Sequence, residues 1–338
     1  MDELGVTIYC LVYNHEHYLK KCLDSLIHQK TNFKYSIIVH DDASTDRSAE
    51  IIRKYAEDYP DIIVPIYQKE NQYKKGSGII VRNYIEPLAK GKYIAICEGD
   101  DYWLSADKLQ RQFDIMEKNP TCGICLHRTV EIKENGEMTN IEYPAPVYTT
   151  GIITPKQLFQ TMTPRMYHTS SFFIRGALWH EYIKNPPAYK KSSNVGDVPL
   201  ILYFGSKYGI YQINEVMSAY RRGAPSGWSN QRHRANTDYL IKFNTSITNT
   251  FLLFDRETNK EYHSMCAERI SRSMYPEKVL SENLKEYLKP ENKEYLAFYS
   301  PVKRLSIYAG MVFPKTVKKV YLNRYKKATD KRRERWRH

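Results

Sequence analysis

Short apolar runs alternate with longer amphipathic segments over the first hundred residues of the 338-residue chain. The intervening segments, residues 15–29, 44–59 and 76–91, place apolar side chains at the three- and four-residue spacing of a helix. Strands that alternate with helices imply right-handed crossovers. The pattern therefore predicts an α/β fold with a mainly parallel, twisted sheet flanked by helices. The four runs, rich in β-branched residues, are Val6–Val12, Tyr35–Val39, Ile62–Tyr67 and Tyr93–Cys97.

Polar residues follow three of these predicted strands. Tyr13 comes directly after the first strand, Asp42 follows the second, and the sequence EGDD, residues 98–101, follows the fourth. Parallel α/β sheets bind ligands beyond the carboxyl ends of their strands, so we expect a ligand site at this edge. Ser44 or Thr45 can also cap a following helix, which leaves open the alternative that Asp42 belongs only to that cap.

The acids Glu98, Asp100 and Asp101 lie within four residues on a glycine-containing turn. Carboxylate oxygens suit Mg²⁺ or Mn²⁺, which take one or two carboxylates and leave their remaining positions to water and phosphate oxygens. A cation held in this way would neutralise a diphosphate. The alternative is a solvated acidic turn ahead of the helix that the sequence predicts from Ala106 onward.

The composition is that of a globular protein, and it restricts the class of protein further. No apolar run approaches the about 20 residues that a membrane span needs, and the first residues lack the basic start and cleavage site of a signal peptide. We therefore expect a cytoplasmic protein. The six cysteines are scattered, which favours reduced core thiols. Cys122 and Cys125 form a CxxC without a second pair, so a buried strand is a simpler interpretation than a zinc site.

The positive charge is concentrated at the end of the chain. Residues 301–338 hold 13 Lys and Arg against two acids, whereas the first 300 residues hold 38 basic and 36 acidic residues. Apolar residues such as Leu305, Val312 and Phe313 are interleaved with these cations. A basic amphipathic segment of this kind is typical of contact with an anionic membrane surface, here the inner face of the cell membrane. A disordered tail and a nucleic-acid-binding arm are the less favoured alternatives, and we expect no nucleic-acid partner.

Taken in order, these segments resemble the family 2 glycosyltransferases, inverting enzymes of the GT-A fold that use nucleotide sugars, among them the type that builds bacterial cell-surface polysaccharides. The resemblance rests on the order and spacing of several motifs and extends over residues 5–229. The matching segments are VTIYCLVYN (6–14), YSIIVHDDASTD (35–46), RN (82–83), AKGKY (89–93) leading into EGDDYW (98–103), GDVPL (196–200) and VMSAYR (216–221).

The resemblance implies a nucleotide-sugar donor, with UDP as the expected nucleotide. Leu11, Tyr13 and Asp42 match positions that bind the nucleotide, through an aromatic face and a carboxylate that can accept a hydrogen bond from the base or the ribose. Arg82 matches a basic residue that faces the nucleotide. From the residue alone, an ordinary exposed arginine on a helix is an equal alternative for Arg82.

The resemblance also implies a metal ligand and a catalytic base. The EGD triplet stands in place of the DxD of the family, so Asp100 is the expected ligand of Mn²⁺ or Mg²⁺, and Glu98 or Asp101 would act through water or the ribose. Asp197 matches the carboxylate opposite the anomeric carbon. Such a base removes the proton of the acceptor hydroxyl as the new bond forms. The alternative for Asp197 is a helix cap, since a helical run follows it.

The chain departs from the family pattern after the YR pair. Many relatives carry a histidine shortly after it, whereas here the sequence reads Tyr220-Arg221-Arg222-Gly223. We interpret Arg221 or Arg222 as candidates to neutralise the diphosphate directly. Together with Glu98 in the first position of the triplet, this departure leaves the strict need for a metal open.

The acceptor of the resembling enzymes is a glycan or a lipid-linked glycan. Residues 147–173 are rich in aromatic and hydroxyl side chains and match the region where relatives build the acceptor pocket. Trp103, Tyr167, His168 and Trp228 are candidates to contact a sugar. For each aromatic residue, a place in the core is the more common alternative.

These observations predict the division of the chain. Residues 1–229 would form the GT-A catalytic domain, with the nucleotide-sugar half in 1–105 and the acceptor half in 106–229. Residues 230–300 would form a helical extension, and 301–338 a basic amphipathic tail.

Three further classes of protein are alternatives to an inverting sugar transferase: a binding protein, a nucleotidyltransferase and a dehydrogenase. A GT-A domain with impaired catalysis would serve as a peripheral membrane or glycan-binding protein, a hypothesis suggested by Glu98 and the missing histidine. A nucleotidyltransferase or a Rossmann dehydrogenase would need a glycine-rich loop after the first strand, and VYNHEHYLKK (12–21) has no glycine.

Overall fold

The computed structural model describes residues 4–76, 78–162, 165–225, 227 and 236–337. The chain divides into two compact units. The first comprises Met1–Pro186 and Gly196–Asn230, and the second comprises Pro187–Val195 and Gln231–His338. This division differs from the sequence-based one in two respects, because residues 187–195 and residues 301–338 both belong to the second unit.

The first unit is built on one mixed sheet. Its strand order among the described residues is β3-β2-β1-β4-β9-β6-β10-β5, with β7 paired to β6 and β8 paired to β10. The pairs β1–β2, β1–β4, β2–β3 and β6–β10 are parallel. The strands are β1 Val6–Val12, β2 Tyr35–Asp41, β3 Ile63–Tyr67, β4 Tyr93–Ile96, β5 Tyr102–Trp103, β6 Cys122–Ile132, β7 Met138–Tyr143, β8 Gly151–Ile153, β9 Phe173–Arg175 and β10 Gly209–Arg221.

Helices cover this sheet and supply the apolar side chains that bury it. In α1, Leu19, Leu23 and Leu26 recur at helical spacing and are completely buried in the main core cluster. The α/β prediction is therefore confirmed. The helices up to the end of the first unit are α1 Leu19–Ile27, α2 Ser48–Asp58, α3 Lys108–Lys118, α4 Pro155–Thr161, α5 Gly176–Lys184, α6 Ala188–Lys191 (in the second unit) and α7 Asp197–Lys207.

The predicted helix over residues 76–91 is the main local difference. In the described part of this segment, residues 79–80 are α-helical and lead directly into a π-helical turn, Val81–Ile85, so the helix is much shorter than predicted. Gly76 and Gly78 precede it in positive-φ conformations, which interrupt a helix, and Pro87 follows it. The six cysteines are buried and have free thiols, with Cys122 and Cys125 in β6.

The second unit is helical in its described part. Its helices beyond α6 are α8 Thr237–Glu257, α9 His263–Leu280, α10 Pro290–Lys293, α11 Pro301–Val312 and α12 Pro314–Arg337. The predicted tail thus forms two helices, and α11 packs through Ile307 and Gly310 within the unit. None of the helices in the described ranges is both long and apolar enough to cross a membrane.

Candidate active site

The candidate site lies at the carboxyl end of β1, where the chain connections run to β2 on one side of the sheet and to β4 on the other. Strand β1 has β2 on one side and β4 on the other, all parallel, and ligands bind beyond the carboxyl ends of such strands. The chain after β4 continues alongside β1, because the amide of Gly99 donates to the carbonyl of Leu11 at 2.9 Å. A Cβ at Gly99 would lie 2.7 Å from Nδ1 of His15, so glycine lets the two loops meet.

His15 is a residue of this site that sequence reasoning missed. Its Nε2 lies 3.9 Å from Oδ2 of Asp100, and its side chain is 9% exposed. Its Nδ1 is buried and has no hydrogen-bond partner among the described residues. The sequence did hold a signal for His15, because it lies two residues after Tyr13 and so close to the end of the first strand. The apolar spacing instead places His15 in the predicted helical segment 15–29.

Three hydrogen bonds fix the loop that carries His15. The amides of Asn14 and His15 donate to the hydroxyls of Ser44 and Ser48, each at 2.9 Å. The amide of Glu16 donates to Oδ2 of Asp46 at 3.0 Å. The two loops that follow β1 and β2 therefore hold one another, and the side chain of His15 is positioned by backbone contacts on both sides.

Three carboxylates act on one another electrostatically. Burial, together with the negative charges of Asp100 and Asp197, raises the pKa of Glu98 to about 8. Glu98 follows β4, whereas Asp197 begins α7, so the fold brings residues about a hundred positions apart into one site. An excess of negative charge at this position is the electrostatic condition for a cation site.

Asp197 occupies the first turn of α7 and is half-buried. Its Oδ1 accepts a hydrogen bond from the amide of Val198 at 2.8 Å. Burial raises the pKa of Asp197, and the hydrogen bond from the amide of Val198 opposes that shift. Asp197 therefore contributes to the start of the helix and also shares the electrostatic environment of Glu98.

Asp101 differs from the other acids of the motif. It is buried, and its Oδ1 accepts a hydrogen bond from the amide of Arg221 at 2.8 Å. Burial and the charge of Asp100 raise the pKa of Asp101 well above its usual range. A buried carboxyl that holds the end of β10 does not suit a metal ligand, which argues against the predicted role of Asp101 as a ligand.

Arg221 is also committed to the structure rather than to a diphosphate. Its guanidinium donates to the carbonyls of Asp100, Lys133 and Glu134 at 3.0, 3.1 and 2.7 Å. It also lies over the ring of Tyr18, at 4.4 Å from the ring centre. Of the two candidate arginines, Arg221 is therefore the poorer one for a diphosphate, because its Nε and Nη1 donate to backbone oxygens.

Arg222 and His168 belong to a polar cluster beside the motif. Arg222 donates to the hydroxyl of Tyr220 at 3.1 Å and lies 3.5 Å from the carboxylate of Glu131. The ring of His168 stacks on Tyr220 with 3.9 Å between ring centres. Burial and the charge of Arg222 lower the pKa of His168 to about 3, so the imidazole is neutral. Its Nδ1 lies 3.7 Å from the buried Asp101.

The tryptophans do not supply a sugar platform in the described part of the chain. Trp103 is 4% exposed, its indole N–H donates to the carbonyl of Ser170 at 3.1 Å, and Nζ of Lys108 lies 3.9 Å above its ring. We therefore correct the candidate sugar contact of Trp103 to a core position. Tyr167 is likewise buried. Trp228 lies outside the described residues.

The four predicted nucleotide-binding residues have different environments. Asp42 is buried, and its two carboxylate oxygens accept hydrogen bonds from the amides of Gln72 and Tyr73 at 2.7 and 3.1 Å. Its local role is thus to hold the loop after β3, and it does not cap α2. Tyr13 and Leu11 are half-buried at the end of β1, and Arg82 is exposed.

The residues present fit a divalent cation of the Mg²⁺ or Mn²⁺ type. No group of three or more His, Cys, Asp or Glu side chains in the described ranges could hold a metal alone. Such cations need only one or two carboxylates when phosphate and water complete the coordination. Asp100 and Glu98 provide hard oxygen atoms, and burial, followed by the charges of Asp100 and Asp197, raises the pKa of Glu98.

One protein-family model matches more than half of the chain. The model of glycosyl transferase family 2 matches residues 7–180. An uncharacterised protein of Mycobacterium tuberculosis is 31% identical over 238 residues, which are 69% of this chain and 62% of that protein. The chain thus spans less than two thirds of that relative. A poly(ribitol-phosphate) beta-glucosyltransferase of Bacillus spizizenii is 34% identical over 117 residues, 34% of this chain and 18% of that enzyme.

Solved structures share the fold at low sequence identity. S. aureus TarS 1–349 in complex with UDP-GlcNAc superposes with a TM-score of 0.62 at 14% identity, covering 95% of this chain and 92% of that one. Mannosyltransferase PcManGT from Pyrobaculum calidifontis, in complex with GDP-Man and Mn²⁺, gives a TM-score of 0.50 at 15% identity, covering 94% and 87%. The similarity to TarS confirms the predicted GT-A fold with a helical C-terminal region.

Proposed function

Because the chain belongs to glycosyl transferase family 2, we propose that it transfers a sugar, with inversion, from a nucleotide donor to a hydroxyl group of a glycan or lipid-linked glycan. UDP is the expected nucleotide. The observation that supports the proposal is that Glu98 and Asp100 follow β4 at the carboxyl edge of the sheet, where the charge of Asp197 also acts on Glu98. Carboxylates at this edge can hold a cation for the donor diphosphate and can take the proton of the acceptor hydroxyl.

Asp197 is the proposed general base. An acceptor hydroxyl is a weak nucleophile until a base within hydrogen-bond reach takes its proton. Because Oδ1 of Asp197 already accepts the amide of Val198, Oδ2 is the expected proton acceptor. The hydroxyl oxygen then bonds to the anomeric carbon as the bond from that carbon to the diphosphate oxygen breaks. Attack from the face opposite the diphosphate inverts the anomeric configuration.

Asp100 and Glu98 are the proposed ligands of a divalent cation, Mn²⁺ or Mg²⁺. Such a cation, when bound, supplies positive charge that stabilises the departing diphosphate. His15 lies against Asp100 and is proposed to position that carboxylate. Arg222, rather than Arg221, remains the candidate arginine near the diphosphate, because the guanidinium of Arg221 donates to backbone carbonyls.

Tyr13 is the proposed aromatic contact of the nucleobase, with Leu11 beside it at the end of β1. Asp42 is proposed to act by fixing the amides of Gln72 and Tyr73, which places the loop after β3 next to the nucleotide. Arg82 is exposed and able to reach a soluble ligand.

We also propose that the acceptor is met at an anionic membrane surface. The basic excess of residues 301–338, with 13 Lys and Arg against two acids, supports this location. The acceptors expected from the family resemblance include lipid-linked glycans, which are confined to membranes.

A donor panel tests the proposed activity. The full-length protein is incubated with Mn²⁺ and each of several UDP-, GDP- and TDP-sugars. Hydrolysis of the donor, with water in place of the acceptor, is followed by the nucleoside diphosphate that it releases. We expect slow hydrolysis of one UDP-sugar that is lost in Asp100→Ala. Failure to bind or hydrolyse any nucleotide sugar would instead favour a binding protein with impaired catalysis.

A further inference from the structure

Helix α11 has two apolar sides, and the described residues cover only one of them. On the inner side Ile307 is completely buried and Gly310 packs against Leu284. On the other side Val302, Leu305 and Val312 are 79%, 69% and 70% exposed. We call the exposed set the outer face of α11; it consists of Val302, Leu305, Tyr308, Val312 and Phe313.

The outer face is contiguous and fixed in orientation. Its residues follow one another at intervals of three or four positions, apart from the adjacent pair Val312 and Phe313, and such residues line one side of a helix. Arg304 anchors the helix, because its guanidinium donates to the carbonyls of Tyr299 and Ala297 at 3.0 and 3.1 Å. Lys303 adds a second anchor, with Nζ 4.1 Å above the ring of Tyr275. These contacts hold the apolar residues toward solvent.

Helix α12, directly after α11, presents cations. Its exposed basic residues are Lys315, Lys319, Arg324, Lys326, Lys327 and Lys331. Of the two acids in residues 301–338, neither lies before position 330. An exposed apolar face followed by exposed cations is the combination that binds the boundary between lipid headgroups and acyl chains.

We propose that the outer face of α11 inserts into an anionic lipid bilayer and that the cations of α12 contact its headgroups. The sequence pattern alone spreads the apolar residues over both helices. The structure instead restricts the inserting residues to one face, since Ile307 is turned inward. The inference deepens the proposed function by naming the surface at which a lipid-linked acceptor is met, and vesicle binding is measured without catalysis.

Two other occupants fit the residues less well. A second copy of the chain would bring two segments of strong positive charge together, and like charges repel. A nucleic acid would satisfy the cations of α12 but would leave Val302, Leu305 and Phe313 exposed, since phosphates offer them no apolar partner.

Vesicle flotation with the full-length protein tests the proposal. Vesicles of phosphatidylglycerol and phosphatidylcholine are compared with vesicles of phosphatidylcholine alone. The variant Leu305→Glu with Val312→Glu removes two residues of the outer face, and Ile152→Glu changes a 56% exposed apolar residue of β8 in the first unit. A third variant, Lys319→Gln with Lys326→Gln, reduces the charge of α12 alone. Thermal melting checks that all variants fold.

We expect the wild type and Ile152→Glu to float with the anionic vesicles. The partition coefficient should fall about tenfold or more in the Leu305 and Val312 variant, because two side chains lose their apolar burial. The Lys319 and Lys326 variant should lose only the preference for anionic over neutral lipid. Full binding by the Leu305 and Val312 variant would overturn the proposal.

Failure of the wild-type protein to bind the vesicles would also overturn the proposal. This holds whether light scattering, which reports the oligomeric state, finds a dimer or a monomer. The donor panel is independent of this result. Vesicle binding without hydrolysis of any donor would contradict the proposed function and support the membrane-binding face. Hydrolysis of a donor without vesicle binding would support the proposed function and contradict the membrane-binding face.

Discussion

The imidazole Nε2 of His15 lies 3.9 Å from Oδ2 of Asp100, between the loops that follow two neighbouring parallel strands. Both residues are largely buried, and the backbone of His15 is tied to Ser48. A histidine in this position can orient the carboxylate on which the proposed cation depends, much as outer-shell partners orient metal ligands elsewhere.

The first prediction concerns this pair. His15→Gln removes the imidazole, so the affinity for Mn²⁺ in the presence of UDP should fall about tenfold, a loss typical of outer-shell substitutions. Free Mn²⁺ is measured by electron paramagnetic resonance during titration. The matched control is His17→Gln, on the same loop but 79% exposed, which should bind like the wild type. Unchanged Mn²⁺ affinity in His15→Gln would show that the pair has no part in the site.

A second prediction follows from the loop contacts of Asp42. Asp42→Ala leaves the amides of Gln72 and Tyr73 without their acceptor, and such a loss costs about 1–3 kcal/mol for each buried group left unpaired. The free energy of unfolding, measured in urea, should drop accordingly, and UDP affinity should drop with it. Asp58→Ala, at an exposed position, serves as the control. If stability were unchanged while UDP binding vanished, Asp42 would contact the nucleotide instead of holding the loop.

The third prediction is a pH dependence in the second unit. Nδ1 of His263 lies 2.8 Å from Oδ2 of Asp255, and Nε2 lies 2.9 Å from Oε2 of Glu294, so the protonated imidazole donates to both carboxylates. Hydrogen bonds to Asp255 and then Glu294 raise the pKa of His263 above 6.5. A group with a raised folded pKa stabilises the fold fully below its unfolded pKa, and this contribution disappears as the pH rises through the folded value.

His263→Gln should therefore lower the melting temperature more at about pH 6 than at about pH 9, where the wild-type imidazole is neutral. The two proteins are compared by thermal unfolding across this range. His28→Gln, in the first unit, is the matched imidazole substitution and is measured over the same pH range. A constant difference for His263→Gln would rule out the charged form as its origin.

The sequence predicted the sheet that positions the site because its signals are local. The run Val6–Val12 and the run Tyr93–Cys97 combine β-branched residues with turn residues at their ends, and both form the expected parallel strands apart from the last residue of the second. In the structure Asp100 lies beside the loop after β1, 3.9 Å from His15. The helix expected over residues 76–91 is restricted to residues 79–85, because a helical apolar spacing does not reveal the backbone conformations of Gly76 and Gly78.

Side-chain partners were less predictable, since they depend on contacts between distant segments. Nothing near Arg221 in the sequence indicates that its guanidinium meets the carbonyls of Lys133 and Glu134. Trp103 follows the acidic motif directly, yet its indole is buried against Ser170. His15 lay in a segment with a clear helical pattern, and that pattern concealed its proximity to Asp100.

The central claim is that Asp197 acts as the base, and Asp197→Asn tests it most directly. Asparagine can still accept the amide of Val198, so α7 keeps its start and donor binding should stay within about threefold of the wild type. The rate of sugar transfer or donor hydrolysis should fall about 10²–10⁴-fold, because the amide cannot take the proton. A wild-type rate in Asp197→Asn, or an equal loss of rate and donor affinity, would contradict the account.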